Sequence, residues 1–158
     1  MITRTIAAAC VLLLSSQTMA EKGEPVIDRN NLSIGGGLSL NSVSGPIDDE
    51  LGFQFFAAYH LEDFNLMQYV DTSIELGYMD YGFSGADSGG LWINAVIDGA
   101  IQDDLGWVAR LGLDLGDDDG LMVGGGAALY VDPRSTLRFE YVIRDNIDSL
   151  QVNYVHRL

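Results

Sequence analysis

The sequence is poor in cysteine, proline, cations and long apolar runs, and each shortage removes a class of protein. Its one cysteine, Cys10, falls within the first twenty residues. A chain that loses that leader can live in an oxidising compartment, but it has no disulfide and no thiol mechanism. Three prolines in 158 residues leave little to interrupt a sheet, because proline withholds a ladder donor. Only eight Lys and Arg stand against 23 Asp and Glu, for a formal net charge of −15. Nucleic acid is excluded as a partner, since its phosphates would be repelled. After residue 20 there is no run of eighteen apolar residues, so no transmembrane helix is expected.

The first twenty residues read as a secretory signal peptide. Arg4 makes a positive start, Ile6–Leu14 a short apolar core, and Thr18-Met19-Ala20 a small-residue cleavage site before Glu21. Cys10 lies within that core, whereas a lipoprotein cysteine would follow it. Residues 21–31 are polar and form a periplasmic lead-in, and residues 32–158 form one domain.

What the chain does have is glycine, nineteen in all, and 47% hydrophobic residues laid down in strict alternation. The clearest stretch is the last thirty residues. Leu137, Phe139, Tyr141 and Ile143 share one parity, against Arg138, Glu140 and Arg144 on the other. After a turn, Leu150, Val152, Tyr154, His156 and Leu158 oppose Gln151, Asn153 and Arg157. A period of two is a strand. The same pattern occupies Leu32–Leu40, Leu51–His60, Asp71–Tyr81, Leu91–Ala100, Trp107–Leu115 and Leu121–Val131. Gly, Pro and Asp clusters such as Gly116–Gly120 separate them as turns. Eight strands in an antiparallel meander are expected, with no helical periodicity in the mature chain.

Alternation alone does not say which face is outside, because inverting the faces gives a soluble barrel with an apolar lumen. The polar parity carries Gly35, Gly37, Gly77, Gly112, Gly124, Gly126 and Ala128 with a few long charged residues between them. That composition suits a narrow, filled lumen better than a solvent face. The other parity carries Tyr59, Tyr78, Trp107, Phe139, Tyr141 and Tyr154, which suit lipid and its interfaces. The expected fold is therefore all-β, an eight-stranded antiparallel up-and-down transmembrane β-barrel. Two alternatives stay open: a soluble periplasmic barrel binding an apolar ligand, and a lipid A-modifying barrel enzyme.

The run from Gly124 to Tyr141, with its Gly-x-Gly, its turn and its Leu-x-Arg-x-Glu-Tyr, resembles the small OmpA-like, porin-family outer-membrane β-barrel proteins. Trp107–Leu115 and Ile74–Tyr78 fit the same pattern. The resemblance implies a barrel in a Gram-negative outer membrane with periplasmic termini, in contact with outer-membrane lipid and lipopolysaccharide. It also implies that the last strand, through Tyr154, His156 and Leu158, serves the barrel-insertion machinery. Where the family usually ends in Phe, this chain has Leu158. No peptidoglycan-binding domain is expected to follow, so that activity is not carried over.

Six charged residues share the lumen parity and are expected to form a network: Glu75, Asp98, Arg110, Asp114, Arg138 and Glu140. The acidic outer loops are Asp48, Asp49 and Glu50, then Asp117, Asp118 and Asp119. A calcium loop at Asp117–Asp119 fails on spacing, because Leu115 takes the first ligand position and Gly126 that of the bidentate Glu. A solvated hairpin tip is the simpler reading, with loose Mg²⁺ or Ca²⁺ bridging to lipopolysaccharide phosphates as the functional one. Neither glycine triplet precedes a helix or a lysine, so no phosphate loop is read there. His60 and His156 lack a nucleophile–base–orienter set, and His156 has no serine at bonding distance in its own strand. No cofactor, metal or catalysis is expected. Trp92 has lumen parity but could equally sit in the preceding loop.

Overall fold

The computed structural model describes residues 27–43, 49–62, 64, 69–83 and 88–158. A 3₁₀ turn at Arg29–Asn31, capped by the Asp28 side chain, leads into β1 (Leu32–Val43). There follow β2 (Glu50–His60), β3 (Val70–Asp80), β4 (Gly89–Ala100), β5 (Leu105–Asp114), β6 (Gly120–Asp132), β7 (Ser135–Ile143) and β8 (Ile147–Arg157). Each strand pairs antiparallel with the next, and β8 pairs with β1, giving a closed eight-stranded barrel. Closure matters physically: it leaves no edge whose N–H and C=O groups would lack partners in hydrocarbon.

The alternation becomes an inside and an outside. In β1, Leu38 is 57% exposed while its neighbour Ser39 is 1% exposed. Around the ring, Leu51, Phe53, Ile74, Leu91, Leu111, Leu121, Phe139 and Leu150 all point outward and are exposed. An apolar belt of that extent is not tolerated in water. The fold is that of a transmembrane β-barrel, and the inverted, ligand-cup arrangement is not the one adopted.

The strands differ little from the sequence expectation, though the lumen is less polar than parity suggested. Trp92 lies inside β4, not in the loop, and is fully buried. It packs on Phe56 at 5.5 Å between ring centroids, within a buried cluster that includes Met79, Tyr81, Met122, Val142 and Ile147. Lumen glycine makes room for this cluster as well as for the charges. A Cβ on Gly77 would lie 2.5 Å from Trp92 Cζ2, and one on Gly35 would sit on the Phe56 ring.

One end of the barrel holds residues 27–31 and Leu158, and is called here the terminal end. The other, the loop end, is where β1, β3, β5 and β7 finish and β2, β4, β6 and β8 begin, and it holds the turns 115–119 and 144–146. The connection 61–69 is the longest at the terminal end, and its residues 63 and 65–68 lie outside the described residues.

Candidate functional site

β3 and β7 stand four places apart in a ring of eight, on opposite walls. Their side chains nevertheless meet across the lumen, Arg138 Nη1 donating to Glu75 Oε1 at 2.5 Å. Arg110 of β5 lies 3.7 Å from Glu75 Oε2 and makes a close ion pair with Glu140 of β7. Two arginines and two glutamates, all buried, form a neutral cluster at mid-height. β6 lets the pair form because Gly124 stands opposite Arg110 and Gly126 opposite Glu140. A Cβ at Gly124 would already lie 3.2 Å from Arg110 Cγ.

Amides extend the cluster to the remaining wall. Asn153 Nδ2 donates to Glu140 Oε1 at 3.2 Å, and Gln54 Nε2 donates to both Gln151 and Asn153 at 2.7 Å. Trp92 closes it from the loop side, its ring 5.7 Å from the Arg110 guanidinium carbon. Four of the six expected charges are thus brought together.

The other two are elsewhere, and strand geometry explains why. Asp114 is four residues beyond Arg110 on β5, about 13 Å along a strand at about 3.3 Å per residue. It pairs instead with Arg144, whose Nε lies 2.9 Å from Asp114 Oδ2, and it accepts a short hydrogen bond from the Tyr81 hydroxyl. Arg144 also donates to Ser149 Oγ at 2.7 Å, and its guanidinium carbon stands 5.4 Å from the centroid of the Tyr81 ring. Asn41 links Ser149 to the Tyr81 carbonyl. This second cluster closes the loop end of the lumen. Asp98 lies nearer the terminal end, half-buried and opposite Asp71, and makes no ion pair among the described residues. Sequence reasoning placed Arg144 on the lumen parity without giving it a role; a lone cation beside an acid-rich rim was the available signal.

The acidic loops are only partly solvated. Asp49, Asp117 and Asp119 are exposed, Glu50 begins β2, and Asp48 lies outside the described residues. Asp118 corrects the reading of a free hairpin tip. It is 2% exposed and accepts from Ile147 N at 2.9 Å and from Asn146 N and Nδ2 at 3.0 and 2.7 Å. The carboxylate satisfies backbone donors that the tight β7–β8 turn leaves without carbonyl partners, and so ties two loops together. Asp118→Ala is expected to lower folding free energy by about 1–3 kcal/mol, the cost of stranding buried donors. Asp119→Ala should stay within about 0.5 kcal/mol. Urea midpoints of the two variants in detergent check this, and equal midpoints would contradict it.

Among the described residues no three His, Asp or Glu side chains converge as a metal centre requires. Both histidines have serine partners across a strand pair, where spacing within a single strand gives no sign of them. His60 Nε2 lies 2.8 Å from Ser33 Oγ, and His156 Nδ1 lies 3.0 Å from Ser135 Oγ. Both serines are 2% exposed or less, and Tyr154 also donates to Ser135 at 2.8 Å. A buried, already engaged hydroxyl does not present itself to a substrate. Leu158 is exposed on the outward parity of Tyr154, and its backbone N–H donates to the Leu32 carbonyl at 2.9 Å.

No protein-family model matches the chain, and no curated protein matches it. Solved structures do. A de novo designed transmembrane β-barrel superposes with a TM-score of 0.59 at 15% identity, covering 82% of this chain and 96% of the design. The outer membrane protein Ail of Yersinia pestis, determined in a phospholipid bilayer nanodisc, gives 0.56 at 12% identity over 80% of this chain and 98% of its own. Neisserial surface protein A gives 0.53 at 15% identity over 81% and 97%. The likeness is one of fold. A designed barrel shares it as fully as the natural ones, which marks it as a solution to the physics of the bilayer and says nothing about partners.

Proposed function

We propose that the protein is an integral outer-membrane β-barrel of a Gram-negative envelope, with a structural or surface-interaction role and no enzymatic activity. The observation that carries this reading is the closed ring of strands with its apolar side outward, around a lumen filled by ion pairs, amides and aromatic rings. A filled eight-stranded lumen offers no path for bulk diffusion. Natural outer-membrane proteins with the same fold support the location. In this reading residues 1–20 are the cleaved signal, both termini are periplasmic, and the barrel-insertion machinery receives the last strand. OmpA-like membership rests on the Gly124–Tyr141 pattern alone. The loop end then faces lipopolysaccharide. Its exposed acids, with Arg144 the only described arginine on that side and itself buried, favour Mg²⁺ or Ca²⁺ held loosely between carboxylates and lipid phosphates.

Fractionation tests the location. The native protein is expected in the outer-membrane pellet, resistant to carbonate and shifting in electrophoretic mobility on boiling. Recovery from the soluble periplasm would overturn the reading and reinstate a water-soluble barrel. A protease-cleavable tag after Leu158 that is attacked from outside intact cells would overturn the orientation alone.

A further inference from the structure

The outer wall near the terminal end, where β7, β8 and β1 meet, departs from the plain apolar belt. Gly36 shares the outward parity of Ile34 and Leu38 but has no side chain, which leaves a dent between larger neighbours. A groove of about 280 Å³ runs there, lined by Ile34, Gly35, Gly36, Tyr154 and His156. A Cβ added at Gly36 would meet only the Gln54 carbonyl, at 3.3 Å, so the space above it is open. At the mouth of the groove, His156 holds its Nδ1 against Ser135 and leaves Nε2 without a partner among the described residues.

The arginines divide between the lumen and the rim of this seam. Arg110, Arg138 and Arg144 are buried and paired. Arg29, Arg134 and Arg157, the exposed arginines among the described residues, stand at the start of β1, the start of β7 and the end of β8. These are three consecutive strands at one end of one seam. Arg157 is engaged, donating to the Asn30 carbonyl at 2.7 Å and lying 3.9 Å from Glu62. The guanidinium groups of Arg29 and Arg134 have no partner among the described residues. The nearby acids Asp28 and Asp132 are already bonded to Asn30 and to the Arg134 backbone. In a chain of net charge −15, the seam sets three arginines against the three acids Asp28, Asp132 and Glu62, and it presents two guanidinium groups to an incoming anion.

We propose that the β7–β8–β1 seam binds one anionic glycerophospholipid. An acyl chain lies along the groove over Gly36, and the headgroup phosphate sits at the rim with Arg29, Arg134 and His156 Nε2. The groove admits a single chain, unlike the several chains of lipid A. The terminal end also faces the phospholipid leaflet if the termini are periplasmic. The inference therefore rests on the membrane reading above.

Each arginine near a membrane surface is worth about a fivefold preference for an anionic lipid. Full-length mature protein is reconstituted into phosphatidylcholine vesicles containing a minor share of phosphatidylglycerol, extracted in mild detergent and weighed by native mass spectrometry. Wild type is expected to retain one phosphatidylglycerol, enriched at least about tenfold over phosphatidylcholine. Gly36→Leu, which fills the groove, and Arg29→Gln with Arg134→Gln, which remove the charge, should each bring retention close to the bulk ratio. Both variants should still insert and shift on boiling. Equal retention of the two lipids by wild type, preferred retention of added lipopolysaccharide, or a Gly36→Leu variant that binds as wild type would each overturn the proposal. Failure of wild type to enter vesicles at all would instead overturn the membrane reading.

Discussion

A chain lacking residues 154–158 is expected not to assemble into a barrel at all. Those residues pair with Ser33–Gly36 of β1 on one side and with Ser135–Leu137 of β7 on the other. Without them, both neighbouring strands keep a row of backbone donors and acceptors facing lipid, and each unsatisfied group costs several kcal/mol there. The outermost rung is lost as well, where Arg157 N donates to the Arg134 carbonyl and Leu158 N to that of Leu32, both within 2.9 Å. Ser135 loses two hydrogen-bond partners in the same step, Tyr154 and His156. Several such groups together exceed the roughly 5–15 kcal/mol by which a folded domain is usually stable. The outcome should be all-or-none: no heat-modifiable band after refolding into detergent or vesicles, and degradation in cells. A truncated chain that still shifted on boiling would mean that the seam closes elsewhere.

The mid-lumen cluster should give the largest effect of any single side chain. Glu140→Ala leaves Arg110 buried with only the longer contact to Glu75, at 3.7 Å. Removing one partner of a buried pair typically costs about 3–5 kcal/mol, mostly from the charge left behind. Arg110→Ala should cost a similar amount for the mirror reason. The double variant Arg110→Ala with Glu140→Ala removes both charges, and should cost less than the sum by about 0.5–3 kcal/mol. Folding free energies of the three variants, from urea titration in one detergent, close the cycle. Additivity within about 0.5 kcal/mol would mean the groups are separately hydrated and do not hold each other. Glu75 is the hub, touching both Arg110 and Arg138. Glu75→Gln should therefore weaken coupling between the two arginines without emptying the space between them.

Alternation carried most of the fold because a strand has only two faces and the bilayer accepts only one kind outside. Once Leu137 through Ile143 read as apolar on odd positions, Arg138 and Glu140 had to point inward. The small lumen residues Gly126 and Ala128 on β6 leave room for side chains of β5 and β7 to meet, and the register puts Gly124 and Gly126 at that level. The same logic misjudged the interior where parity and chemistry diverge. Phe56 and Trp92 have lumen parity and are apolar, and they lie inside because Gly35 and Gly77 make room.

What the sequence by itself determined is the set of properties that depend on neighbours along the chain: eight strands, their faces and the filled lumen. Height and circumference were beyond it. Alternation gives each residue an inside or an outside but no level, so Asp114, Asp98 and Arg110 looked equivalent. Tertiary register placed Asp114 with Arg144 and left Asp98 apart. Nor does a strand pattern say which strands oppose one another across a closed ring. Only closure set Glu75 against Arg138 from opposite walls and gathered Arg29, Arg134 and Arg157 at one seam. The reason is geometric. Periodicity is a local property of the backbone, while a barrel's contacts come from wrapping eight strands into a cylinder, which brings together residues more than a hundred positions apart.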